Sequence, residues 1–183
     1  IRNCLVGSEM CIRDRTNTHI EWLNKFQTLA KTPLLVTMDA EWGPSQRLSD
    51  VFAHPWNMTL GAIQDNSLVR EISKRMAEQN KALGVHYNFS PSVDVNNNSK
   101  NPIIGNRSFG EDPNNVYLKA KAYIQGHKDA GVFTSIKHFP GHGDTDKDSH
   151  KTLPVIKGDI KRLNNVELYP FKRLIEDGIA ESI

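Results

Sequence analysis

An α/β fold built on a parallel sheet is predicted for this chain of 183 residues by three observations. Short apolar runs alternate with helix-patterned segments. The runs recur near residues 34, 85, 132 and 179. The first three each end in charged or polar residues and then a loop. Such alternation implies strands covered by helices. Sites in these folds collect where strand C-termini feed the loops. Asp39, Asp94, Lys137 and His138 are therefore expected to converge on one face.

The elements follow in order. Residues 1–15, "IRNCLVGSEMCIRDR", show neither helical nor strand periodicity and lack the basic and apolar regions of a signal peptide. They resemble translated adapter read-through and are set apart as a non-native leader, leaving 16–183 as the folding unit. Cys4 and Cys11 both fall in the leader, so cysteine usage says nothing about the rest. Ile20–Ala30 carries apolar residues at 20, 22, 23, 26, 29 and 30, a helical spacing. Pro33 ends it, and "LLVTMD" (Leu34–Asp39) reads as the first strand. Asn66–Gly84 is a helix with Leu68, Val69, Ile72, Met76 and Leu83 on one face, Asn66 as N-cap and Gly84 just past its end. Val85–Val95 is the second strand. The long loop Asn96–Pro113 has the length of a functional loop. Asp112 followed by Pro113 opens the next helix, which Gly131 stops. Val132–Phe139 is the third strand. Tyr169–Gly178 is a helix with Pro near its start and Gly at its end. "IAESI" begins a fourth strand.

Composition narrows the function. Apolar residues make up 38%, charged residues 24%, and the formal net charge is +2, as in an ordinary globular protein. Lysines and arginines are scattered, so nucleic acid is not an expected partner. No apolar run reaches the length of a membrane span. Neither GxGxxG nor GxxxxGK[ST] occurs, which disfavours a nucleotide fold. The chain is short for a complete α/β barrel, which takes about 250 residues.

The stretch "KHFPGHGDTDKDSH" (Lys137–His150) holds three of the seven histidines. Three readings compete for it. As a metal site it is unconvincing: Pro140 and Gly141 separate His138 from His142, so no helix aligns them as in HExxH. The "DTDKDSH" run has Ser149 and Val155 where a calcium loop needs Gly and Glu. As a solvated loop, its Asp and Gly residues would serve turns. As a proton-transfer device it has a specific geometry. In extended chain, residues i and i+2 project to one side. The Asp148 carboxylate could then accept a bond from one ring nitrogen of His150, leaving the other nitrogen for a substrate. Ser149 points away. Gly141 and Gly143 would let the loop swing.

The whole stretch "KHFPGHGDTDKDSHKTLPVI" resembles the signature of glycoside hydrolase family 3, and in particular its bacterial β-N-acetylglucosaminidase branch. "MDAEWG" with "QRL", "PSVDVNNN" and "NRSFGEDP" resemble the same family in the same order. The resemblance implies a TIM-type (β/α) barrel, of which this chain would hold about four strands of eight. It implies hydrolysis of terminal β-linked N-acetylglucosamine with retention of configuration. The acid/base would be His150 paired with Asp148, a departure from the usual two carboxylates. Asp39, Arg107, Lys137 and His138 would bind the sugar, with no cofactor and no metal. The partner would be a small oligosaccharide.

Each assignment has a plainer competitor. Asp39 could cap a turn, Arg107 could pair with Glu111 or Asp112, and Lys137–His138 could be a strand end meeting water. His142 is expected to brace the loop, Asp144 and Asp146 to serve turns or face solvent, Asp94 to be structural, and Trp42 and Trp56 to pack. The family's nucleophile is an Asp downstream of Ile183, and a partial barrel exposes sheet edges and apolar helix faces, so this chain alone is expected to be inactive and poorly soluble. The rival functions are a metal-dependent hydrolase using the His/Asp-rich loop, a β-glucosidase-type specificity, phosphorolysis, and a non-catalytic sugar-binding module.

Overall fold

Strands β1 (Thr37–Met38), β2 (Tyr87–Asn88) and β3 (Phe133–Thr134) form one parallel sheet in the order β1-β2-β3. The computed structural model describes residues 15–145, 155–156 and 158–183. Thr37 lies opposite Tyr87, and Tyr87 opposite Phe133; Met38, Asn88 and Thr134 form the next row. The regular ladder is shorter than the apolar runs that surround it. Backbone bonds nevertheless extend it at both ends, from His86 N–H to Val36 O and from Ser135 N–H to Asn88 O. A bridge between Ser92 and Lys137 carries the pairing toward the strand C-termini.

Among the described residues no fourth strand forms. The segment 179–183 lies beside β3, held by a backbone bond from Ile136 N–H to Ser182 O. A second tie runs from Thr134 N–H to the Glu181 carboxylate, 2.8 Å. A side chain takes the place of a ladder carbonyl there, so regular pairing does not propagate.

The helices are α1 (Thr16–Leu29), α2 (Asn57–Ala62), α3 (Asn66–Ala82), α4 (Pro113–Ala130), α5 (Ile160–Asn165) and α6 (Tyr169–Glu176). The predicted ends of α4 are as expected. Asp112 accepts from the N–H groups of Asn114 and Asn115, Pro113 opens the helix, and Gly131 closes it at φ 76°. For α3 the cap is Asp65 rather than Asn66, since the Asp65 side chain reaches Ser67 N–H. Its buried face is Val69, Ser73, Met76, Ala77 and Asn80, while Leu68 points outward. Helix α1 follows its predicted pattern but buries none of its residues.

Helices α3 and α4 lie against each other. Gly126 permits this contact, because a Cβ there would sit 2.3 Å from Arg70 O. The main core joins Leu60, Val69, Met76, Val93, Tyr123, Ile136 and Phe171, with others around them. Each such side chain removed from water stabilises the fold by about 1.5–3 kcal/mol. A smaller cluster of Met38, Ala40, Leu48, Leu83 and Val85 anchors β1. Together they hold the three strand ends side by side. Among the described residues no helix is long and apolar enough to cross a membrane.

Candidate active site

The site forms where the strands end. Asp39 and Glu41 follow β1 and stand two residues apart, so both aim to one side. Asp94 ends the extended stretch after β2. Lys137 and His138 follow β3, joined by a cis peptide bond. Arg107 comes from a single 3-10 turn, Gly105–Arg107, in the long loop. That turn is tied down twice: Asn57 Nδ2 donates to Arg107 O at 2.8 Å, and Ser108 Oγ donates to Asp94 O at 2.6 Å.

These side chains form one connected array. Lys137 Nζ donates to Asp39 Oδ1 at 2.6 Å and lies 2.9 Å from Glu41 Oε1. Arg47 donates to the other Asp39 oxygen at 3.0 Å. Arg107 grips Glu41 with two bonds, 2.6 and 3.0 Å, and donates to His138 Nε2 at 3.1 Å. With Nε2 accepting, His138 carries its proton on Nδ1 and gives it to Asp94 Oδ2 at 2.7 Å. Asp94 also accepts from the His142 N–H at 2.6 Å and from Ser92 Oγ at 2.8 Å.

Burial sets the electrostatics. Glu41 and Asp94 are fully enclosed, which alone would raise their pKa values. For Glu41, the hydrogen bond from Arg107 and the charge of Lys137 outweigh burial and hold it below 4.5. For Asp94, the His138 contact and the His142 N–H do the same, below 3.8. Burial opposes the Arg107 charge, but Glu41 holds its pKa above the ordinary value. Each enclosed carboxylate thus depends on the donors around it: Glu41 on the cations of Arg107 and Lys137, Asp94 on the neutral His138 ring and the His142 N–H.

The array borders an open cleft of about 730 Å³ that Asp39, Trp42, Phe89, Arg107, Lys137 and His138 help to line. Asp39, Lys137, Arg107 and His138 keep part of their surface toward it, whereas Glu41 and Asp94 lie beneath. Carboxylate oxygens have acceptor capacity beyond one bond, and ammonium and guanidinium groups offer several donors. The cleft wall therefore alternates donors and acceptors, a pattern that suits a ligand rich in hydroxyl groups. A second, more apolar cavity of about 660 Å³ adjoins it at His138 and His142.

Asp39, Arg107, Lys137 and His138, singled out from sequence, thus meet in one place, as does Asp94. Asp148 and His150 lie outside the described residues, and so does Asp146. Arg107 pairs with Glu41, not with Glu111 or Asp112, because the 3-10 turn points it back across the strand ends. His142 does brace its loop: its ring bonds Thr145 Oγ1 and its N–H bonds Asp94. Asp144, expected to serve a turn or face solvent, pairs with Arg162 at 2.8 Å. Trp42 and Trp56 stack on each other, with centroids 4.1 Å apart and planes 8° from parallel.

Gly143 meets a different need from the swing expected of it. A Cβ at that position would lie 1.7 Å from Val95 O, so the loop presses its backbone onto the β2 segment. Both ring nitrogens of His138 are engaged, by Asp94 and Arg107, which leaves no lone pair there for a metal. Among the described residues no group of three or more His, Cys, Asp or Glu could hold a metal ion. Glu41 and Arg47 were not foreseen. The spacing of Glu41 from Asp39 was the available signal.

Residues 12–183 match the family described as Glycosyl hydrolase family 3 N terminal domain. The chain belongs to glycosyl hydrolase family 3. Among curated relatives, beta-hexosaminidase A of Pseudoalteromonas piscicida is 36% identical over 155 residues, covering 82% of this chain and 26% of that protein. The beta-hexosaminidase of Thiobacillus denitrificans is 35% identical over 163 residues, covering 85% and 45%. The chain therefore spans between about a quarter and a half of the curated relatives it matches. Among solved family 3 structures, a beta-N-acetylglucosaminidase from Paenibacillus sp. str. FPU-7 superposes with a TM-score of 0.84 at 39% identity, over 90% of this chain and 32% of that one. The beta-glucoside phosphorylase BglX superposes with a TM-score of 0.87 at 31% identity, over 93% and 31%.

Proposed function

We propose that this chain is part of the catalytic domain of a retaining glycosidase that releases terminal β-linked N-acetylglucosamine from small oligosaccharides. The observation that carries this reading is the cleft at the strand C-termini. In it Asp39, Lys137, Arg107 and His138 present alternating acceptors and donors over a buried layer of compensating charge. Asp39 accepts hydrogen bonds from ring hydroxyls. Lys137 and Arg107 donate to hydroxyl oxygens, and His138 orients the adjoining one. The sheet is the opening part of a TIM-type barrel, whose sites lie at this end.

Asp148 and His150 supply the acid/base dyad. The carboxylate fixes the ring tautomer and supports the imidazolium. The imidazole protonates the departing glycosidic oxygen and later deprotonates water. A downstream Asp acts as the nucleophile. The names of the hexosaminidase relatives support the sugar, and the family resemblance of the stretch "KHFPGHGDTDKDSH" supports the dyad.

The deciding measurement uses the full-length protein and paired N-acetylglucosaminides with good and poor leaving groups. His150→Ala is expected to lose turnover severely on the poor leaving group and less on the good one. Normal turnover on the poor leaving group would overturn the dyad. Phosphorolysis is the second reading, favoured by the likeness to a beta-glucoside phosphorylase. An imidazole acid/base repels phosphate less than a carboxylate does. Rates with and without inorganic phosphate separate the two: glycosyl phosphate as the main product would replace hydrolysis.

A further inference from the structure

Beneath the site lies a fully buried polar chain that runs from α3 and α4 to the end of β1. Asn88, on β2, brackets the backbone of Ala40. Its Oδ1 accepts the Ala40 N–H at 2.9 Å, and its Nδ2 donates to Ala40 O at 3.0 Å. Ala40 is the residue between Asp39 and Glu41. Tyr123, on α4, donates its hydroxyl to Glu41 O at 3.1 Å and accepts from Ser90 Oγ at 2.7 Å.

The proton directions are self-consistent. With Oδ1 committed to Ala40 N–H, Nδ2 of Asn88 also donates to His127 Nε2 at 3.0 Å. His127 therefore carries its proton on Nδ1 and donates to Ser73 Oγ at 2.7 Å, and Ser73 donates to Tyr123 O at 2.6 Å. A flipped Asn88 amide would set donor against donor at Ala40. Asn88, Ser73 and His127 are wholly buried, so no water relieves such a mismatch.

We infer that Asn88, oriented by His127, is a positioning residue that clamps the Ala40 peptide and thereby fixes the directions of the Asp39 and Glu41 carboxylates. Asp39 faces the cleft, and Glu41 holds both Arg107 and Lys137, so one amide sets the placement of three groups lining the cleft. The clamp explains why a polar residue occupies the central strand of the sheet and why a histidine lies in the helix layer. The geometric part stands without the glycosidase reading. The catalytic consequence rests on it.

Two readouts test it, with Lys119→Met as a control of similar burial: Lys119 bonds Asn66 Oδ1 at 2.6 Å, away from the cleft. In the full-length protein, Asn88→Ser and the milder Tyr123→Phe are compared with the control by amide hydrogen exchange of the 38–43 segment. Exchange there is expected to rise at least tenfold in Asn88→Ser and less in Tyr123→Phe, with β3 unchanged relative to the control. Segment exchange that merely tracks the control would overturn the clamp. On an aryl β-N-acetylglucosaminide, kcat/KM is expected to fall tenfold or more in Asn88→Ser, mainly through KM, while Lys119→Met keeps it. Faster exchange with unchanged kcat/KM would overturn the positioning role. If the parent protein does not turn that substrate over, the glycosidase reading fails, and exchange still decides the clamp. Should Asn88→Ser not fold, Tyr123→Phe carries both readouts.

Discussion

Arg107 and Glu41, 66 residues apart in sequence, meet through two charge-assisted hydrogen bonds of 2.6 and 3.0 Å. The pair joins the long loop to the end of β1. It also lets an enclosed carboxylate stay ionised beneath a cleft.

Removing one member leaves the other charged and poorly solvated. Glu41→Ala is expected to lower the unfolding free energy by about 3–5 kcal/mol, the usual cost of breaking a buried pair from one side. Glu41→Gln keeps an acceptor for Arg107 and should lose less. Urea denaturation of both variants checks the order; equal stability of wild type and Glu41→Ala would show the pair to be energetically idle.

Arg107→Lys keeps the charge and loses the fork that serves Glu41 and His138 together. On the substrate proposed above, kcat/KM is expected to fall by about a hundredfold, equivalent to about 2.7 kcal/mol of transition-state stabilisation. Steady-state kinetics with a thermal-shift control separates this from unfolding.

His127 gives the fold an acid limb. Burial pushes its pKa down from 6.5 to about 3. The unfolded chain therefore binds a proton below 6.5 that the folded chain refuses until about 3. The stability it contributes is complete above that window and is lost as pH falls through it, by about 1.4 kcal/mol per pH unit. His127→Gln should flatten this slope between pH 6 and 4, read from denaturation midpoints at a series of pH values.

Gly143→Ala would place a methyl group against Val95 O, next to Asp94. Neither backbone can yield easily. A loss of about 1–3 kcal/mol is expected, with weaker sugar binding because Asp94 carries His138. Calorimetry against an N-acetylglucosamine ligand measures both effects.

What could be read from the sequence was local. The Asp112–Pro113 start and Gly131 stop of α4 lie within a turn of the residues they govern, and strand ends foretold that Asp39, Asp94, Lys137 and His138 would gather. Asn66 and Asp65 are both good caps, so only the side chain's reach to Ser67 separates them. The partners of Arg107 were hidden because its true mate lies far away in sequence while acidic decoys sit four and five positions on. Glu41 went unseen although the i, i+2 rule applied to Asp148 and His150 holds equally for Asp39 and Glu41. Asp94, expected to be structural, is so in a particular sense: it lies out of the cleft and aims the histidine that lines it. The fourth strand failed to appear because regular pairing depends on a complete partner ladder, which pattern alone does not supply.

The near-parallel contact of Trp42 with Trp56 gives the cleft a built-in optical reporter. Indoles so close couple their electronic transitions, and a twist between the two ring axes turns that coupling into paired circular-dichroism bands of opposite sign. Because Trp42 borders the cleft, a ligand that shifts its ring would alter that couplet without any label attached to the protein.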